Sequence, residues 1–437
     1  MINCYLENRN KIKRIIGGIF FVFLAVIFFA GITFLFRNKG YDRNHIVGIK
    51  NEKNNIDVIY IGGSAAFVYW EPLKAYKDYG FTSYNLATNA MGVENILPYI
   101  KYSEKYQNPQ LFIIDLRPFQ YYSDEPNEQG VRNGSDGMDI TTLARYELIN
   151  SYFYNRNIGD NNQIVSYYID IMKYHTNYDN LSSKLAWRFI TNSGKSQFKG
   201  CELPKKWVHI DEPVNYKTED RKELLPNARK ELHKILDYLD KHRINALFVV
   251  CPYCLDKEHY SIYNTISDEV VNRGYSYINL NDYYDEIGID FATDFYNISH
   301  VNAYGAEKYT SFLEKYIFLN YNLPDHRGNQ DYYAWDISVG EFDDYSYQVK
   351  LSIDAIKSRA DSAMLKKQLI SNTDDLTKWS TLVNDSDYSL FVVGDGTLLS
   401  TCSDTDIESL ERLKIDTNKM FSSVNHSYPC LHAEKLR

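Results

Sequence analysis

The chain has 437 residues, 44% hydrophobic and 24% charged, with only 11 prolines, which is the composition of a folded protein with room for two or three folding units. A net charge of −9 with no long basic run argues against nucleic-acid binding. The 6 cysteines fall at irregular spacing and form no disulfide framework, and a chain of this size can stand on its apolar core.

Residues 1–14 carry Arg9, Lys11, Lys13 and Arg14. The stretch that follows, IIGGIFFVFLAVIFFAGITFLF (Ile15–Phe36), carries no charge and has about the length a helix needs to cross a bilayer core. No small-residue cleavage site follows it, so it reads as an uncleaved anchor and not as a signal peptide. Arg37, Lys39 and Arg43 lie beyond it, which leaves the positive-inside rule a narrow preference for residues 1–14 in the cytoplasm. The expectation is a single-pass cell-membrane protein whose main domain is extracytoplasmic. Residues 37–55 are polar and read as a stalk.

From Ile56 onward strands and helices alternate. Asp57–Gly62, Thr82–Ala87 and Gln110–Leu116 read as strands, separated by helices over Ala65–Tyr79 and Val93–Tyr106. Continuous apolar strands with helices between them indicate a parallel sheet covered on both faces. The alternation breaks over residues 117–220, which read as a largely helical insertion over one edge of the sheet. It resumes with a helix over Arg221–His242, strands at Asn245–Val250 and Tyr275–Leu280, and a last helix from Ala303 to about Leu319. The predicted fold is a three-layer α/β/α sandwich on a five-stranded, flavodoxin-like parallel sheet over residues 56–323. In the tail, 324–437, DHRGNQDYYAWD reads as a linker. A helix (Tyr347–Ile370), a strand (Tyr388–Val393) and a short helix (Asp406–Lys414) then suggest a small α/β module.

Two segments stand out for chemistry. In IDVIYIGGSAAF the first strand delivers Ser64 to its carboxyl end, where open α/β sheets bind ligands. Gly62 and Gly63 permit a tight turn and let a substrate approach the backbone. The Ser64 N–H at the start of a helix suits a developing negative charge. A serine there also serves as a plain helix N-cap. A nucleophilic serine needs a base within hydrogen-bond reach. Of the 10 histidines, most fall on charged helix faces or in loops, among them His233, His242, His326, His426 and His432, and read as solvated. His300 differs. It lies in DFYNISHVNAYGAEKYTSF (Asp294–Phe312), in the loop that opens on the same sheet edge as Ser64.

These two blocks, in this order, resemble the first and last blocks of the SGNH/GDSL hydrolase superfamily. More narrowly, they resemble its membrane-anchored branch, akin to the alginate and lipoteichoic-acid acylation proteins. The resemblance spans roughly Ile56–Leu319, apart from the insertion. It implies Ser64 as nucleophile and His300 as general base, with Asn302 and Gly305 matching the residues after the histidine. Asn297 stands where the family has an aspartate, and Asp294 is the nearest carboxylate able to replace it. In YNLATNAMG (Tyr84–Gly92), Ala90 or Gly92 would supply the oxyanion N–H beside Gly63. The family's third-block asparagine has no counterpart: IIDLRPF offers Asp115 and Arg117. Arg117 is then a candidate donor to the oxyanion or to an anionic substrate group, or simply a salt-bridge partner.

The resemblance implies a serine acylesterase or O-acyltransferase, passing an acyl group, often acetyl in such relatives, to water or to a sugar hydroxyl of a cell-envelope polysaccharide, beside a multi-pass membrane acyltransferase. No metal or organic cofactor is indicated. The alternative is a catalytically inactive glycan-binding or assembly partner in the same machinery, motivated by Asn297. A smaller alternative is thiol–disulfide chemistry at Cys251-Pro252-Tyr253-Cys254, which has the dithiol spacing but follows a fourth strand instead of an early βαβ unit.

Overall fold

The computed structural model describes residues 2–36, 41–120, 122, 128–154, 156–180, 196–373, 378–379, 381, 390–393, 403–412 and 430–433. Its internal contacts divide the chain into two units, Met1–Ser352 and Ile353–Arg437.

The first unit is built on five parallel strands: β1 (Val58–Gly62), β2 (Ser83–Ala87), β3 (Leu111–Asp115), β4 (Ala246–Val250) and β5 (Ser276–Asn279). Their spatial order is β2-β1-β3-β4-β5, the doubly wound flavodoxin-like arrangement. Every residue of β1 to β4 is buried, which explains the largely apolar character of β1, β3 and β4; β2 also buries the polar Ser83 and Asn85, which hydrogen-bond Trp70. Right-handed crossovers place the helices on both faces. Helices Ile96–Glu104 and Pro226–His242 meet on one face; helix Ala303–Asn320 packs with Ser64–Tyr69 and Pro72–Tyr79 on the other. The predicted helix over Ala65–Tyr79 is thus two helices, because Pro72 fits only a first turn and a new helix starts there. The chain reverses direction around β1, so the crevice between the carboxyl ends of β1 and β3 is the topological switch point.

Two segments expected to be peripheral pack against the core. Within the segment expected to be a stalk, Tyr41–Asn51 is a helix whose Ile46 and Ile49 are fully buried. It packs on edge strand β2 and on the Glu128–Gly137 helix of the insertion. The DHRGNQDYYAWD segment is not a free linker. His326 Nε2 lies 2.9 Å from the buried Asp57 carboxylate, so this histidine is not solvated. Trp335 is buried against Tyr76, with ring centroids 5.2 Å apart. A helix then runs over Tyr333–Ser371, starting well before Tyr347. The insertion has its own polar core, where the fully buried Arg145 donates to Asp170 at 2.7 Å and to the carbonyls of Ser135 and Tyr167.

Two short strands of the first unit, β6 (Phe295–Asn297) and β7 (His300–Val301), belong to the site below; in the second unit, β8 (Leu390–Val393) pairs antiparallel with β9 (Cys430–Ala433), and a helix covers Asp404–Arg412. The start of the expected Tyr388–Val393 strand, the end of the Asp406–Lys414 helix and His426 lie outside the described residues. At the other end, Ile2–Phe36 is one helix, and its Lys11–Thr33 part is long and apolar enough to cross a membrane, with none of it buried. A signal sequence near an N-terminus has the same character.

Candidate active site

Ser64 is the first residue of its helix, and Gly63, not Ser64, occupies the N-cap position. The capping role weighed for the serine is therefore not the one it takes. Its hydroxyl lies 2.6 Å from His300 Nε2. The glycines have different reasons. A Cβ at Gly62 would stand 2.8 Å from the side chains of both Ala66 and Asp115, so packing forbids one. At Gly63 a Cβ would meet only Met91, at 4.0 Å, and its absence leaves the backbone beside Ser64 open.

His300 is placed by a small hairpin. Strands β6 (Phe295–Asn297) and β7 (His300–Val301) pair antiparallel with Asn297 opposite His300. That pairing sets the Asn297 Oδ1 atom 3.0 Å from His300 Nδ1. The same oxygen accepts the Ser299 N–H at 2.8 Å, which identifies it as the carbonyl end of the amide. His300 Nδ1 must then carry the proton, and Nε2 keeps the lone pair that accepts from Ser64. Asn297 thus fixes the tautomer that a general base requires. The hairpin tip is held from below: the Ser299 carbonyl accepts from Arg117 Nη1 at 2.8 Å and from the Tyr69 hydroxyl at 3.1 Å. The Ile298 carbonyl accepts the Cys254 N–H at 3.0 Å.

Burial, with the Arg117 charge added, pulls the His300 pKa down to about 3. At neutral pH the ring is the uncharged base. No carboxylate offsets that pull. Asp294 does not take the missing position, since its carboxylate binds Lys308 at 2.7 Å and the Asp290 N–H at 2.8 Å. That expectation is corrected.

The other expected residues separate cleanly. Arg117 is buried beneath the site, its guanidinium 4.4 Å from the Tyr253 ring centroid, and it braces the hairpin instead of lining the cleft. Asn302 is a helix cap: its Oδ1 accepts the Tyr304 N–H at 2.9 Å and its Nδ2 donates to the Thr293 carbonyl at 2.8 Å. Gly305 permits close packing, because a Cβ would sit 2.7 Å from the Asp294 carbonyl oxygen. Ala90 adopts φ 50° and, with Gly92, is pressed against Gly130, whose own Cβ would meet both backbones. Their neighbour Asn89 is the residue of that turn that reaches the cleft. The Asp115 carboxylate accepts the Arg117 backbone N–H at 3.0 Å, and burial pushes its pKa up to about 6.

Cys251 and Cys254 are both free thiols. Cys251 is buried, and burial with the nearby Asp115 pushes its pKa up to about 12, the reverse of an activated dithiol cysteine. The next helix begins only at Lys257, so neither thiol sits at a helix start.

Ser64 opens into a cleft of about 490 Å³. Its walls include Asn44 and His45, the loop from Ser196 to Lys206, Tyr296 and Tyr345. Tyr296 stacks on His300 with centroids 5.4 Å apart, and Phe198 stacks on Tyr345 at 4.7 Å. Tyr296 was within reach of sequence reasoning, standing in the His300 block; the others carry no local signal. Among the described residues no group of three or more His, Cys, Asp or Glu side chains is gathered to hold a metal ion. The arrangement can deprotonate a serine hydroxyl in an aromatic-walled cleft, the first step of acyl transfer. No protein-family model matches this chain, and no curated protein matches it.

Proposed function

We propose that the chain is a membrane-anchored serine acylesterase or O-acyltransferase acting on a cell-envelope glycan. The observation that carries the reading is the 2.6 Å contact between Ser64 Oγ and His300 Nε2, with the tautomer fixed by Asn297. Ser64 attacks the acyl carbonyl while His300 Nε2 takes its proton. The same proton then goes to the leaving oxygen as the acyl-enzyme forms. Water or a sugar hydroxyl next gives its proton to His300 and takes the acyl group, and Ser64 is restored. The Ser64 N–H, at the first position of its helix, is the backbone donor proposed for the oxyanion. Aromatic walls at Tyr296, Phe198 and Tyr345 suit the apolar faces of sugar rings.

The test is intact-mass analysis after treatment with a fluorophosphonate, which titrates activated serines. A single adduct is expected, absent in Ser64→Ala and slowed by about 10²–10⁴ in His300→Ala. A folded protein that takes no adduct sinks the reading. A second reading, a glycan-binding partner without catalysis, is favoured by the uncharged Asn297, which leaves a transient imidazolium without a counter-ion. Absence of the adduct together with retained glycan binding would select it.

A further inference from the structure

Resting on the acyl-transfer reading, we propose that Tyr296 is a positioning residue for catalysis: its ring face steadies the charge that His300 acquires, in place of the carboxylate that Asn297 lacks. When Nε2 takes the Ser64 proton, His300 becomes an imidazolium, and it stays one until that proton passes to the leaving oxygen. The groups around it give that charge little help. Asn297 meets the ring with a neutral amide oxygen, Asp294 is committed to Lys308, and the Arg117 charge repels a protonated ring.

The hairpin supplies another partner. In its register Phe295 pairs with Val301 and Asn297 with His300, so three residues of β6 face two of β7, and Tyr296 is the extra one. A bulge of this kind re-aims a side chain beside an active site. In an unbroken strand consecutive side chains point to opposite faces, and only one of Tyr296 and Asn297 would reach His300. With the bulge both do: Asn297 at the ring's edge, through Nδ1, and Tyr296 on its face. The two rings stack with centroids 5.4 Å apart and planes 20° from parallel. That lies inside the roughly 6 Å at which an aromatic face attracts a cation. Phe295, by contrast, is fully buried and stacks on Phe291, whereas Tyr296 is half-buried and lines the cleft. An aromatic face favours the imidazolium over the neutral imidazole. The interaction therefore grows as the proton arrives, which is the condition for lowering a barrier.

The experiment uses the full chain in detergent, with position 296 carrying in turn phenylalanine and its mono-, di- and trifluorinated forms, introduced by nonsense suppression. Ring shape is nearly kept while each fluorine draws negative charge off the face. Intact mass reads the rate of Ser64 labelling by a fluorophosphonate. Tyr296→Phe is expected to label within about twofold of wild type, and the trifluorinated ring about 2–30-fold more slowly, with the intermediate rings in order. A flat series overturns the proposal, because a ring that only packs does not sense its fluorines. A loss already complete in Tyr296→Phe overturns it too, and assigns the role to the hydroxyl. If the wild type takes no label, the acyl-transfer reading fails, and a second measurement still decides the ring's role. Asn297→Asp is added to each member of the series so that His300 titrates in a readable pH range. NMR of carbon-13-labelled histidine follows that titration, with the His300 signal identified by its absence in His300→Gln. The His300 pKa should fall with each added fluorine; a pKa that does not move overturns the proposal.

Discussion

Asn297 decides how well this site works. It orients His300 as an aspartate would, yet it cannot stabilise the imidazolium that forms when Ser64 gives up its proton. Replacing it by aspartate, Asn297→Asp, places a carboxylate at the same 3.0 Å position and raises the His300 pKa by about 1–3. Fluorophosphonate labelling should then accelerate, and an unchanged or slower rate would show that charge at this position is not limiting. The wild-type pH profile follows from the same balance. With a pKa pulled down to about 3, His300 remains the neutral base through the whole neutral range, so labelling should not fall until strongly acid pH. Stability has the opposite sensitivity. The unfolded histidine titrates near 6.5, so between about 6.5 and 3 the unfolded state binds the extra proton, and this residue's contribution is progressively lost as pH falls. His300→Gln should flatten that part of the stability curve in urea melts taken at successive pH values. Serine and histidine were legible as a pair because each sits in a block of distinctive spacing. The failure of Asp294 was not legible, since only the folded loop shows that its oxygens are committed to Lys308 and Asp290.

At the scale of elements, the strands and their order of appearance were readable, because β1, β3 and β4, buried on both faces, are apolar over nearly their whole length. The docked helices were not, because their buried sides are short and surrounded by polar residues. The Tyr41–Asn51 helix shows why: YDRNHIVGIKN is polar on average, and only Ile46, Val47 and Ile49 signal a packed side. Gly48 lets that helix approach β2, since a Cβ there would stand 2.2 Å from the Tyr84 hydroxyl, which donates to the His45 carbonyl at 2.9 Å. Gly48→Val should therefore lower the melting temperature and disturb the cleft wall at His45, whereas Gly274→Ala, where nothing lies nearby but φ is 85°, tests backbone strain alone. The start of the Pro72–Tyr79 helix holds a second sensitive group. Glu71 is buried with its Oε1 atom unpartnered, and burial raises its pKa to about 8. A carboxyl raised in this way costs stability as pH climbs from its ordinary value near 4.5 towards 8. Glu71→Gln removes that cost, so calorimetry should find the variant more stable than wild type at pH 8 and no more stable at pH 4.5.

For the whole molecule, the cleft joins parts of the chain that lie far apart in sequence: Asn44 and His45, the 196–206 loop and Tyr345. The boundaries 56–323 enclose the sheet and the Ser64–His300 pair but not the cleft. They also cut the His326–Asp57 contact and remove Trp335 from Tyr76. A fragment of residues 56–323 should be markedly less stable than one of residues 41–352, or fail to fold, as judged by circular dichroism and urea melts. Within the longer fragment, Trp335→Ala should cost about 3–5 kcal/mol, the range for emptying a buried aromatic site. Equal stability of the two fragments would make the flanking helices ornaments on a complete domain.

Sequence alone determined the apolar helix at the N-terminus, the five parallel strands, and the two blocks that carry Ser64 and His300. Each of these is a local pattern: an uncharged run, continuous apolarity over a strand, or residues at fixed spacing around one side chain. Tertiary structure decided the tautomer of His300, the bracing role of Arg117, the burial of Cys251 and the walls of the cleft. Those depend on contacts between residues that no local pattern links, because a side chain's partner is set by where the sheet and its crossovers bring distant segments together.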